Sequence, residues 1–154
     1  MEPRVKPAAD SHAELKTRAL RHLVRREHSR AELARKLAPH AESAEALEAV
    51  LDLLLSKKHQ SDERFAEERA RSLSRKYGAA KIRHDLKSRG ISDEISRRVA
   101  AESDDLQKAR EILRKKFSAE AQTREERAKR ARFLQGRGFS YDVIIHVLSS
   151  PDSE

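Results

Sequence analysis

An all-α chain of three tandem three-helix repeats, stacked into an elongated and curved array, is the fold predicted by three features of the sequence. Apolar residues step by three and four, as in Phe65, Ala66, Ala70, Leu73 and Tyr77, or Leu106, Ala109, Leu113 and Phe117, which places them on one stripe of a helix. Alternating runs of β-branched residues, the mark of half-buried strands, are missing. Core and cap positions also recur at a spacing of 49 and then 48 residues. Leu37, Leu86 and Leu134 align, and with them Ser43, Ser92 and Ser140, then Ala46, Ile95 and Val143, then Val50, Val99 and Val147.

Residues 1–11, with Pro3 and Pro7, read as a flexible lead-in. The first repeat, 12–60, has helices predicted at about 12–27, 29–38 and 44–58. Ser29 with Glu32 has the capping-box spacing, in which a hydroxyl accepts from an orphan N–H and the carboxylate reaches back. The second repeat, 61–103, has helices at about 62–76, 79–89 and 92–102, opened by Ser61 and Ser92. The third, 104–149, has helices at about 105–117, 123–137 and 140–149, and its middle helix is expected to be elongated. Tyr77 to Leu86 is nine residues, whereas Phe117 to Leu134 is seventeen, and the extra length is worth roughly two helical turns. Gly78, Gly90 and Gly138 are predicted structural turns, where a glycine closes a helix in the left-handed conformation without a Cβ clash. Residues 150–154, with Pro151, read as a flexible tail. A single unit of under 50 residues buries little apolar surface, so neighbouring units are expected to share their cores.

Of 154 residues, 39% are charged, and 34 basic against 26 acidic residues leave a net charge of +8. Leu, Ile, Val and Phe together number only 32, so the fold has to be carried by their placement. The absence of cysteine excludes disulfides, thiolate ligands and a thiol nucleophile, and fits a reducing compartment. Apolar runs such as Leu53-Leu54-Leu55 are far too short for a bilayer or a signal peptide, so the chain is expected to be a cytoplasmic protein with no membrane contact. The basic excess points to an anionic partner. It is spread evenly: residues 1–60 hold 12 basic and 9 acidic residues, 61–103 hold 11 and 8, and 104–154 hold 11 and 9.

The sequence offers no catalytic constellation. G-x-x-x-x-G-K-[ST], G-x-S-x-G and H-E-x-x-H are absent, and four glycines are too few for a phosphate-cradling loop. The seven histidines lack metal-ligand spacing, and the acidic doublets Asp104-Asp105, Glu67-Glu68 and Glu125-Glu126 lie near helix starts, where negative charge suits the macrodipole. The expectation is a non-enzyme without metal or cofactor. Basic residues remain as candidates: Arg18, Arg21 and Arg25 on the first helix; Arg71, Arg75, Lys76, Lys81, Arg83, Lys87 and Arg89 around Tyr77-Gly78; Arg124, Arg127 and Arg130 in the third-repeat insert; and Arg137. Singly these read as solvated charges, and as a set they read as a partner face. Tyr77 continues the Phe65-Ala70-Leu73 stripe and is expected in the core. Three-helix units with short turns also suggest a second reading, a helix-turn-helix-like protein that binds DNA directly.

Three stretches carry a family resemblance: Ser61-Asp62-Glu63-Arg64-Phe65-Ala66; Tyr77-Gly78-Ala79-Ala80-Lys81-Ile82 with Leu86 and Gly90-Ile91; and Arg132-Phe133-Leu134-Gln135-Gly136-Arg137-Gly138-Phe139-Ser140-Tyr141-Asp142-Val143-Ile144. In this order, over about residues 13–149, the chain resembles the bacterial RecX family. The resemblance implies a monomeric modulator of the RecA recombinase that lies in the groove of the RecA filament on single-stranded DNA. There it would suppress ATP hydrolysis, strand exchange and the co-protease activity behind the SOS response, with weak non-specific DNA binding. It carries no catalytic residue over. It does point to Lys81, Arg83, Lys87, Arg89 and Arg137 as partner contacts, and to Gly78, Gly90 and Gly138 as turns. The chain departs from the family in having Pro39-His40-Ala41 where the later repeats have a glycine turn, and in the basic linker Ser56-Lys57-Lys58-His59-Gln60.

Overall fold

A computed structural model describes residues 7–149, and among them lie nine α-helices and no strand. None of these helices is long and apolar enough to cross a membrane. The chain divides into two compact units, Met1–Phe65 and Ala66–Glu154. The predicted lead-in and tail fall partly or wholly outside the described residues.

The first unit holds α1 (His12–Arg25), α2 (Arg30–Leu37), a 3-10 turn (Ala38–His40), α3 (Ala44–Ser56) and the first turn of α4 (Asp62–Leu73). Ser11 with Glu14 and Ser29 with Glu32 both form capping boxes. Leu15, Ala19, Leu33, Leu37, Val50, Leu51 and Leu54 close into one core, with Leu20, Leu23 and Leu47 packed on its edge. The 3-10 turn, with Pro39 in its first positions, replaces the glycine turn of the other repeats. Proline pre-sets φ there and needs no N–H partner.

The second unit holds the rest of α4 with α5 (Ala79–Ser88), α6 (Asp93–Ala101), α7 (Asp105–Lys116), α8 (Arg124–Gly136) and α9 (Tyr141–Ser149). The aligned positions take similar places in the three repeats, with Ala46, Ile95 and Val143 all half-buried. Leu37, Leu86 and Leu134 are fully buried. Ser43, Ser92 and Ser140 each accept from the N–H three residues on, at 3.1, 3.2 and 3.3 Å, and so open the third helix of each repeat. Val50 and Val99 are buried and Val147 half-buried.

Three expectations about element ends are corrected. The helix expected over 62–76 stops at Leu73, because Ser74, Arg75 and Lys76 form a turn and the Tyr77 N–H caps the Leu73 carbonyl at 3.0 Å. The middle helix of the third repeat, α8, has 13 residues against 10 in α5, under one turn longer rather than two. The remaining inserted residues go to the connection between α7 and α8 and to a later end of α7, whose last turn Arg114, Lys115 and Lys116 suit the carbonyl end of the helix. Finally, Gly90 and Gly138 are left-handed at φ 86° and 90°, but Gly78 is not. It lies at φ −84° as the residue preceding α5, and its lack of a Cβ serves a different purpose.

Candidate partner-binding surface

The second and third repeats meet at a backbone-to-backbone contact that two glycines permit. The Gly78 N–H donates to the Arg137 carbonyl at 2.8 Å, and the Ala80 N–H to the Gly138 carbonyl at 3.2 Å. A Cβ on Gly78 would lie 2.6 Å from the Gly138 oxygen, and one on Gly138 would lie 2.4 Å from Lys81 Cβ and 2.7 Å from its nitrogen. From α7, the Asp105 carboxylate accepts from the Ala79 N–H at 2.9 Å and so caps α5 from the next repeat. Lys108 reaches the Tyr77 carbonyl at 2.8 Å and Ser74 Oγ at 3.3 Å. Burial lowers the pKa of Lys108 below the usual lysine range, against the opposing pull of Asp105.

This joint gathers part of the expected basic set. Lys81 Nζ stands 4.9 Å and Arg137 Cζ 5.7 Å from the centre of the Tyr77 ring. Lys81 also donates to the Gly136 carbonyl at 3.2 Å and Arg137 to the Lys76 carbonyl at 3.2 Å, while Arg137 stacks on Phe133 at 5.0 Å. Tyr77 is therefore not a core residue. It is half-buried beyond the end of α4 and serves as the surface on which two cations from different repeats are held.

Other members of the set are paired within the protein, with aspartates of the second repeat. Arg83 and Lys87 reach one carboxylate oxygen of Asp93 at 2.7 and 3.3 Å, and Arg97 the other at 2.6 Å. Hydrogen bonds from Arg83 and then Arg97 hold Asp93 well below the usual carboxylate range. Three cations around one carboxylate leave that patch positive. Arg89 and Arg69 likewise share Asp85, at 3.2 and 2.9 Å. Burial pushes the Asp85 pKa up, but the Arg69 hydrogen bonds and the charges of Arg69 and Arg89 carry it below its ordinary value. Arg71, Arg75, Arg124 and Arg127 are exposed, and no ion pair engages them among the described residues.

Arg127 and Arg130 are drawn into a separate hollow of the third repeat together with Arg110 and Arg114, and Arg124 stays outside it. Arg69, Arg97, Arg110 and Arg114 are the basic residues that the sequence reading missed. Arg97 was findable as the i+4 partner of Asp93. Arg110 and Arg114 share a face of α7, but nothing in the sequence says that α8 supplies the facing pair. Among the described residues no cluster of histidines and carboxylates could hold a metal ion.

Comparison with known proteins covers most of the chain. Residues 16–54 match the family described as "RecX, first three-helix domain", 61–99 the second three-helix domain and 102–148 the third. The chain is 43% identical over 135 residues to the regulatory protein RecX of Chromobacterium violaceum, covering 88% of this chain and 89% of that one. It is 46% identical over 131 residues to the regulatory protein RecX of Neisseria meningitidis, covering 84% and 86%. The crystal structure of RecX from Lactobacillus salivarius superposes with a TM-score of 0.80 at 23% identity, over 90% of this chain and 94% of that one.

Proposed function

Since the chain belongs to the RecX family of regulatory proteins, we propose that it is a non-enzymatic regulator that binds the RecA filament on single-stranded DNA. Binding inhibits the filament's ATPase, strand-exchange and co-protease activities, and so modulates recombination and the SOS response. The protein acts as a cytoplasmic monomer. Its contact surface is made by Arg71, Arg75, Lys81, Arg83, Lys87, Arg89, Arg124, Arg127, Arg130 and Arg137, with weak, unselective DNA binding as a by-product.

The observation that carries this reading beyond family membership is the way the second and third repeats present charge. Lys81 and Arg137 are pinned against Tyr77 from two repeats, and Asp93 is outnumbered by Arg83, Lys87 and Arg97. Cations held in place lose less side-chain entropy on binding than free ones. Many such contacts, each weak, sum along a partner that repeats the same anionic feature.

Direct sequence-selective reading of duplex DNA fits less well. In helix-turn-helix proteins the N-terminal residues of the recognition helix meet the base edges. Here the third helix of every repeat opens with an acid: Glu45 in α3, Asp93 and Glu94 in α6, Asp142 in α9.

The decisive measurement adds the purified protein to RecA hydrolysing ATP on single-stranded DNA. Inhibition well below one protein per RecA subunit is expected, and no inhibition at equal concentrations would sink the proposal. A gel shift without RecA should show only weak, salt-sensitive and unselective binding.

A further inference from the structure

The third repeat holds a hollow of about 390 Å³, within the size range of ligand clefts, roughly 300–1,000 Å³. Its wall includes the connection between α7 and α8, the segment that sets this repeat apart from the other two. Leu113, Val147 and Leu148 give it an aliphatic side. Arg110, Arg114, Arg127 and Arg130 line it as well, and Glu120 is the one carboxylate in the lining among the described residues.

We propose that this hollow docks a peptide segment in which apolar side chains are flanked by carboxylates. The aliphatic side takes the apolar residues, and the guanidiniums, with planar forks matched to carboxylates, take the charges. Arg127 and Arg110 carry no ion pair among the described residues and are available to a ligand. Arg130 is fixed in place: it donates to the Ala119 carbonyl and stacks on the Phe117 ring at 4.6 Å. A single-stranded nucleic acid suits the hollow less, because such binding uses open aromatic faces for base stacking. Among the described residues, Phe117 is the one ring in the lining. It is already covered by Arg130 and packs against Phe133 in an edge-to-face pair at 5.9 Å. The proposal goes beyond the filament reading and does not depend on it.

The test uses the full-length protein without RecA. A fluorescein-labelled peptide with Leu-Phe at its centre and acidic residues on both sides is titrated by fluorescence anisotropy. Saturable binding is expected, weakened at least about tenfold when Arg110→Glu and Arg127→Glu are combined, and by a similar factor when the peptide's Leu-Phe is replaced by Gly-Gly. Helix content and melting temperature of the double variant should match those of the parent, since neither side chain makes an ion pair or hydrogen bond among the described residues. Absence of saturable binding, undiminished binding to the double variant, or equal binding of the Gly-Gly peptide would each overturn the proposal. So would displacement of the peptide by oligothymidine at lower concentration than by unlabelled peptide, which would reassign the hollow to nucleic acid.

Discussion

Lys58 follows the end of α3 at φ 62°, the one non-glycine residue with positive φ among those described. Its neighbour His59 donates to the Leu54 carbonyl at 2.9 Å, so the turn closes the helix in the way a glycine usually does. A lysine pays for that conformation with a Cβ clash of about 1–2 kcal/mol. Lys58→Gly relieves the clash but gains freedom in the unfolded chain, and the expected net is a stabilisation of about 0.5–1 kcal/mol, read as a shifted denaturant midpoint at constant slope. The positive φ itself was not legible in the sequence, where the linker 56–60 stands out only as a basic departure from the family. His28 was equally silent. It is 1% exposed, its Nε2 accepts from Lys36 Nζ at 2.9 Å, and its Nδ1 donates to the Arg26 carbonyl at 3.0 Å. Burial, first of all, lowers its pKa below the ordinary 6.5. The unfolded chain therefore takes up a proton at a pH where the folded one still refuses it. Stability is present above about pH 6.5 and falls as the pH drops below it, and His22, also lowered by burial, adds to the same slope. His28→Gln should flatten the profile of melting temperature between about pH 7 and 5. An unchanged slope would mean that the proton goes elsewhere.

At the scale of elements, one device joins successive repeats. Asp62, the first residue of α4, accepts from the N–H of Arg30, the first residue of α2, at 2.8 Å. Asp105, the first residue of α7, accepts from the N–H of Ala79, the first residue of α5, at 2.9 Å. Each aspartate is steadied by the residue two before it, Gln60 through its amide and Ser103 through its hydroxyl. The first helix of a repeat thus caps the middle helix of the preceding one. Asp62→Ala and Asp105→Ala should each cost about 1 kcal/mol, the usual loss on removing a helix cap, measured by chemical denaturation. The local caps were readable from the sequence, because Ser-x-x-Glu spacing and matched serines act within one turn. The cross-repeat caps were not, since Asp105 and Ala79 lie 26 residues apart and only packing brings them together. The glycines divide along the same line. Gly136→Ala, at the end of α8 with open space around it, should be neutral or gain about 0.5 kcal/mol. Gly138→Ala meets Lys81 backbone as well as its own positive φ, and should cost more than 2 kcal/mol or part the two repeats.

Over the whole molecule, the structure sorts the expected basic residues by the partners they have within the protein. Composition and helical spacing could name these cations as candidates, and the structure leaves Arg71, Arg75, Lys81, Lys87, Arg124 and Arg127 exposed but Arg83, Arg89, Arg130 and Arg137 half-buried. The sequence could not say which cations have carboxylates of their own, because Arg83 lies 10 residues from Asp93 and Arg69 lies 16 from Asp85, and only folding brings them together. The difference decides how the surface should be probed. Reversing Arg83 and Lys87 removes two partners of Asp93 and sets new acids beside it, so lost inhibition there would mix lost contact with lost packing of α5 on α6. Arg71 and Arg75 are exposed without an ion pair among the described residues, and Arg21 and Arg25 on α1 are their counterparts in the first unit. Exposed pairs are worth about 0.2–1 kcal/mol each, and reversal replaces attraction by repulsion. Arg71→Glu with Arg75→Glu should therefore raise the concentration needed to half-inhibit the RecA ATPase by about tenfold, with melting temperature unchanged, and the gap from the parent should shrink as salt is added. Arg21→Glu with Arg25→Glu changes net charge by the same amount and should shift inhibition by about twofold or less. An equal loss from both pairs would mean that the filament responds to total charge, and the second and third repeats would lose their claim to be the contact surface.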